Sequence, residues 1–172
     1  LKSTCSFINN SCGADGGAIR VKDGSSLTLL DNCTFVNNVA DVKHDEARGG
    51  AIQVQDGSTL YADTCSFTGN QSGRFGGAIE ASGNGELVTL LNCVFENNNA
   101  DLGGGISCRD ATVDIDFCRF ENNNAVDGGA IRFADGGVEA TIDNCVFSGN
   151  YGSNTGAIHL YQDTAPTTIT DC

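Results

Sequence analysis

A chain of 172 residues with nine Lys plus Arg against 22 Asp plus Glu carries a formal net charge of -13. That balance excludes a basic nucleic-acid-binding surface and electrostatic attachment to anionic membranes, because both need clustered cations. No run of about eighteen apolar residues could cross a bilayer as a helix, and 23 spread-out Gly with a single Pro mark no compositional break between domains.

Two signatures alternate along the chain. Cys5, Phe7 and Asn10 open the first, Cys-x-Phe-x-(Asn/Gly)-Asn, and Gly16-Gly17-Ala18-Ile19 supplies the second. The pair returns as Cys33/Phe35/Asn38 with Gly49 to Ile52, then Cys65/Phe67/Asn70 with Gly76 to Ile79, then Cys93/Phe95/Asn98 with Gly103-Gly104-Gly105-Ile106. Cys118/Phe120/Asn123 with Gly128 to Ile131 and Cys145/Phe147/Asn150 with Thr155-Gly156-Ala157-Ile158 complete six copies, and Cys172 begins another. The Cys that open successive copies of the first signature are 28, 32, 28, 25, 27 and 27 residues apart, so the chain reads as one repeat array. Residues 1–172 form a single domain on this reading. Because the chain opens and closes inside a repeat and lacks an initiating Met, a segment of a longer array is expected.

Each unit holds three short runs of alternating apolar residues, the period of strands with one buried face. The Cys and Phe pair is one run. The run after the glycines turns Ile19/Val21, Ile52/Val54, Ile79/Ala81, Ile106/Cys108, Ile131/Phe133 and Ile158/Leu160 inward, and sends Arg20, Gln53, Glu80, Ser107, Arg132 and His159 to solvent. The remaining run lies three and five residues before each Cys: Leu30/Thr28, Ala62/Leu60, Leu90/Val88, Ile115/Val113, Ile142/Ala140 and Ile169/Thr167. One unit cannot bury its apolar face alone, whereas stacked units can. The prediction is an all-β fold, a parallel β-helix solenoid of about six coils of 25–32 residues with three short strands per coil. Helical solenoids are disfavoured by the period of two and by the β-branched and aromatic content.

The Asn residues mark one corner per coil. Asn9, Asn37, Gly69, Asn97, Asn122 and Gly149 precede them, residue types that tolerate a left-handed bend. Asn10, Asn38, Asn70, Asn98, Asn123 and Asn150 then form an inward amide ladder, beside the aromatic ladder Phe7, Phe35, Phe67, Phe95, Phe120 and Phe147. The glycine pair permits close backbone approach at the next corner.

Gly-Gly-Ala-Ile alternating with Phe-x-x-Asn resembles the polymorphic outer-membrane protein repeats of chlamydial autotransporters. The match covers nearly the whole chain and departs from the pattern at Gly105 and Thr155. The resemblance implies a right-handed β-helix, an extracellular or cell-surface passenger region, and a role in adhesion or in an extracellular layer. Its implied partners are a protein or glycan at a cell surface and neighbouring β-helix coils, with no nucleic acid and no direct insertion into the membrane.

Nine cysteines at inward positions, without C-x-x-C spacing, read as small buried hydrophobes rather than as a disulfide framework or zinc site. Asp31, Asp63, Asp116 and Asp143 stand two before a Cys, with Leu91 taking that place in one coil. They suit corner caps, and Asp31 with Asp63, or Asp116 with Asp143, are candidates to hold calcium, the one candidate ion. The segment Asp41 to Arg48 exceeds its counterparts by about five residues and offers Lys43, His44, Asp45, Glu46 and Arg48 as a binding loop on a rigid scaffold. Sequons begin at Asn9, Asn32 and Asn70, the last inside the inward ladder. Hydrolysis of a polysaccharide needs convergent carboxylates, which the mixed outward row lacks, so no catalysis is expected. The favoured function is an adhesin or passenger scaffold. A structural part of an extracellular filament or coat is the alternative, and a polysaccharide-active enzyme a more distant one.

Overall fold

The computed structural model describes residues 4–40, 46–163 and 165–172. Its strands pair in parallel with their copies one repeat away, and no described residue is helical. Ser6–Ile8, Thr34–Val36, Ser66–Thr68, Val94–Glu96, Arg119–Glu121 and Val146–Ser148 form a six-stranded sheet in that order. Its register sets each Phe of the ladder opposite the next. Adjacent rings stack with centroids 4.7 to 5.0 Å apart and planes within 11°, a spacing at which aromatic pairs attract. Phe35, Phe67, Phe95 and Phe120 are fully buried, and each contributes about 1.5–3 kcal/mol of apolar burial.

The strands of this sheet are short because a left-handed residue ends each one. Asn9, Asn37, Gly69, Asn97, Asn122 and Gly149 have φ between 53° and 66°, as their residue types predict. The next residue turns its amide inward. Asn98 shows the unit: its Nδ2 donates to the Phe67 carbonyl and to Asn123 Oδ1, both at 2.9 Å. Its own Oδ1 accepts from the backbone N–H and the Nδ2 of Asn70, at 2.9 and 3.0 Å. The same bonds run from Asn10 to Asn150. Thus the carbonyl that the corner strands is always met by an amide from the following coil. Asn70, in one of the three sequons, is buried, whereas Asn9 and Asn32 are exposed.

The two remaining apolar runs share one ten-stranded sheet. In the third and fourth coils they fuse into single strands, Ile79–Leu91 and Ile106–Asp116, with a register shift between Ser82 and Glu86. The third wall is a set of strands the repeat did not announce, just after each ladder Asn. Ser11–Cys12, Val39–Ala40 and Gln71–Ser72 begin it, and bridges at Asn99 continue it to Asn124–Asp127 and Tyr151–Thr155. The glycine pair follows this wall. A Cβ on Gly77 would lie 2.1 Å from the Gly104 carbonyl oxygen and 2.6 Å from the Asn99 nitrogen, so only glycine lets the backbones pass.

The first coil departs from the expected register. Leu27 pairs with Leu60 and Leu29 with Ala62, while Thr34 pairs with Ser66. Four residues, 30–33, therefore face three in the next coil, 63–65. Asp31 and Asn32 both adopt positive φ, at 60° and 65°, and absorb the extra residue in the bend. The inward pair is thus Leu29 and Leu27, not Leu30 and Thr28: Leu29 is fully buried and Thr28 exposed.

Candidate functional site

Just before each glycine pair the chain bridges to the next coil: Asp15 to Arg48, Arg48 to Phe75, Phe75 to Leu102 and Leu102 to Asp127. This corner row runs beside the outward row of the large sheet, where register aligns Arg20, Gln53, Glu80, Ser107, Arg132 and His159. The outward row does not simply meet solvent. Gln53, Glu80, Ser107 and Arg132 are buried, because the neighbouring corner folds over them. Phe75, Arg109 and Arg132 help enclose a cavity of about 10 Å³ at Glu80 and Ser107, and the guanidinium groups of Arg48 and Arg74 lie 5.9 and 4.9 Å from the Phe75 ring centroid.

Two residues further along each strand, Gln55, Ser82 and Arg109 form a second outward row. Two open cavities lie along it. One, of about 530 Å³, is lined by Arg48, Gln55, Asp56, Ser82, Gly83, Arg109 and Asp110. The other, of about 520 Å³, is lined by Gly13, Ala14, Asp15, Arg20, Glu46, Ala47, Arg48 and Gln55. They share Arg48 and Gln55 and together make one polar groove across successive coils.

Charges in the groove are mostly matched. Arg20 lies 3.3 Å from Asp15 and donates to Gln55 Oε1 at 3.0 Å, while Gln55 donates to Asp56 at 2.7 Å. Glu46 draws both Arg48, at 3.2 Å, and Arg74, at 3.5 Å. These pairs are partly exposed, so they set geometry more than stability. Arg109 differs, since it makes no hydrogen bond or ion pair among the described residues. Beneath the floor, neither polar atom of the Gln53 amide has a hydrogen-bond partner, and Glu80 Oε2 has none. Burial pushes the Glu80 carboxyl up to about 7, with Ser82, Arg48, Gln53 and Arg109 offsetting only part of that effect. His159 Nδ1 lies 3.6 Å from Asp127 at the far end of the row.

Of the predicted binding loop, Glu46 and Arg48 line this groove, whereas Lys43, His44 and Asp45 lie outside the described residues. Of the two candidate calcium pairs, Asp31 with Asp63 is out of line and Asp116 with Asp143 is in register. The extra residue in the first bend takes Asp31 out of line with Asp63, and Leu91 separates Asp63 from Asp116 in the register. Asp116 and Asp143 are in register, and both accept hydrogen bonds from Asn144, by its Nδ2 at 3.1 Å and its backbone N–H at 3.0 Å. Thr170 also donates to Asp143, and Asn92 to Asp63. These carboxylates cap corners, and no group of three or more His, Cys, Asp or Glu able to hold a metal forms among the described residues.

All nine cysteines are free thiols, and Cys33, Cys65, Cys93, Cys108, Cys118 and Cys145 are buried. Burial pushes the Cys108 thiol up, with Glu80 nearby adding to the effect, so it stays protonated and inert. Cys12 and Cys172, expected inward, are exposed.

Sequence reasoning missed Gln55, Ser82, Arg109 and Asp110, because their columns hold unlike residues and leave no repeating signature. A profile for right-handed β-helix regions matches residues 2–172. No curated protein and no solved structure matches the chain.

Proposed function

The chain belongs to the right-handed β-helix family, and on that premise we propose a non-catalytic, extracellular scaffold, akin to polymorphic outer-membrane protein repeats, that binds a glycan or protein at a cell surface. One observation carries this reading. The described end of the longest departure from the repeat, Glu46 and Arg48, lines the polar groove on the large sheet. A rigid stack whose inserted segment ends at a groove is an arrangement in which loops acquire recognition. The Gly-Gly-Ala-Ile and Phe-x-x-Asn alternation supports the surface-displayed setting. Binding is favoured over turnover because Glu80, the carboxyl with a proton near neutral pH, is only 3% exposed beneath a closed floor. A hydrolytic pair must reach its substrate.

Removing residues 41–45 returns the second coil to its neighbours' length. We expect that variant to keep its stability within about 1 kcal/mol, since loop length costs little, and to lose at least about tenfold in affinity for cells or arrayed glycans that bind the parent. Unchanged binding would instead favour a structural part of an extracellular coat.

A further inference from the structure

We infer that Cys65 and Cys93 take a soft monovalent cation, silver(I) or copper(I), in line between their two sulfurs, reached through a cavity on the face of the Phe-ladder sheet. This site lies away from the groove and is independent of the binding reading above.

The first support is the spacing of the thiols. Cys33, Cys65, Cys93, Cys118 and Cys145 form a buried column, held in register because the residue after each of Cys65, Cys93 and Cys118 donates its N–H to the Cys carbonyl one coil back, at 2.9 or 3.0 Å. The Cys93 and Cys118 N–H groups each meet the Sγ of the following Cys at 3.4 Å. Two residues on, the ladder rings repeat every 4.7 to 5.0 Å, the ordinary separation of paired strands. In-register copies hold their Cβ atoms at about that distance, beyond the roughly 3.5–4.5 Å that a disulfide needs. A thiolate–metal bond is about 2.3 Å long, so two in line span about 4.6 Å. The column therefore suits a bridging ion better than a sulfur–sulfur bond.

The second support is access at one place. Cys65, only 2% exposed, lines an open cavity of about 220 Å³ with Asn32, Thr34, Thr64, Ser66 and Asn92. That volume holds several waters at about 30 Å³ each, and none of these side chains is charged, so a hydrated cation can reach the sulfur without being trapped on the way. Cys93 and Cys118, at 0%, are sealed.

The third support is the donor set. Cys65 and Cys93 hydrogen-bond to one another, and their sulfurs sit alike, 3.3 Å from the Asp63 carbonyl and 3.2 Å from that of Leu91. A monovalent ion that replaces the proton between two sulfurs releases one proton and leaves the charge of the pair unchanged. Zinc would add a buried charge and asks for four donors, whereas no group of three or more metal-binding side chains forms among the described residues. Thiolates select soft ions such as copper(I), for which two sulfurs suffice.

The test is titration of the reduced full chain with silver nitrate in oxygen-free buffer, read by native mass spectrometry in competition with glutathione. Exposed Cys12 and Cys172 and half-buried Cys5 would take silver themselves, so the background carries Cys5→Ser, Cys12→Ser and Cys172→Ser. We expect one silver ion to be retained with an unchanged circular dichroism spectrum, X-ray absorption to count two sulfur neighbours, and zinc to bind at least about tenfold more weakly. Cys65→Ser and Cys93→Ser should each weaken retention at least about tenfold, while Cys108→Ser, buried outside the column, should leave it unchanged. No retained silver, loss of the β-sheet signal on uptake, a sulfur count other than two, or undiminished retention in Cys65→Ser or Cys93→Ser would each overturn the inference. Should a column variant fail to fold, the sulfur count on the background chain decides.

Discussion

Asn98→Asp should destabilise the fold by about 4 kcal/mol or more at neutral pH, the sum of unmet buried hydrogen bonds and a desolvated charge. The two side chains have the same shape, so packing is not the cause. Asn98 is fully buried, and its Nδ2 serves two acceptors at once, the Phe67 carbonyl and Asn123 Oδ1. An ionised Asp offers no donor and sets an oxygen against both. Protonation restores one donor for two acceptors, so the variant should regain part of its stability in acid. The defect also propagates, because the amide is one rung in a column from Asn10 to Asn150. Asn97→Asp, one residue earlier, is the control. Asn97 is exposed and sits at φ 55°, a conformation Asp tolerates, and the change there should stay within about 0.5 kcal/mol. Urea unfolding of both variants at neutral and acidic pH checks this, and equal losses would contradict the ladder.

A second large effect concerns pH. Burial raises the Glu80 carboxyl from its ordinary value of 4.5 to about 7 in the folded chain. Between those values the native state holds a proton that the unfolded chain has released. Stability from this group is therefore fully present below about pH 4.5 and is lost as pH rises toward 7, after which it levels off. The shift corresponds to about 3 kcal/mol over that window. Repulsion within a chain of net charge -13 weakens the fold in the same direction, so the informative quantity is the difference between parent and Glu80→Gln. That difference should change by about 3 kcal/mol between pH 4.5 and 7.5. A flat difference would mean that Glu80 is solvated and that the floor of the groove is open.

The parts of this fold that were legible are those built from identical residues. Phe, Asn and Gly recur at fixed offsets because each solves the same problem in every coil: ring stacking, an unpaired corner carbonyl, and two backbones too close for a Cβ. Columns of unlike residues left no such trace. Arg48, Phe75 and Leu102 share a place in the register but no chemistry, as do Gln55, Ser82 and Arg109. Alternation alone showed that Gln53 and Glu80 leave the core, yet their burial follows from a neighbouring corner closing over them. The slip at Asp31 escaped for a related reason. A bend can absorb one extra residue when both Asp31 and Asn32 accept positive φ, and counting back from Cys33 then misplaces Leu29 by one. The two-residue strands after the ladder Asn are too short to show a period.

The proposed recognition surface is the outer face of the large sheet, beside Glu46 and Arg48. Chemical-shift mapping of the isotope-labelled full chain during titration with a soluble glycan that binds the parent on the array tests it most directly. Amides of Arg48, Gln55, Ser82, Arg109 and Asp110 should move together and saturate at one ligand concentration. The chain also has a cavity of about 220 Å³ on another face, lined by Asn32, Thr34, Thr64, Ser66, Asn92 and Val94 among others. Shifts centred there, with Arg109 and its neighbours unmoved, would contradict the account.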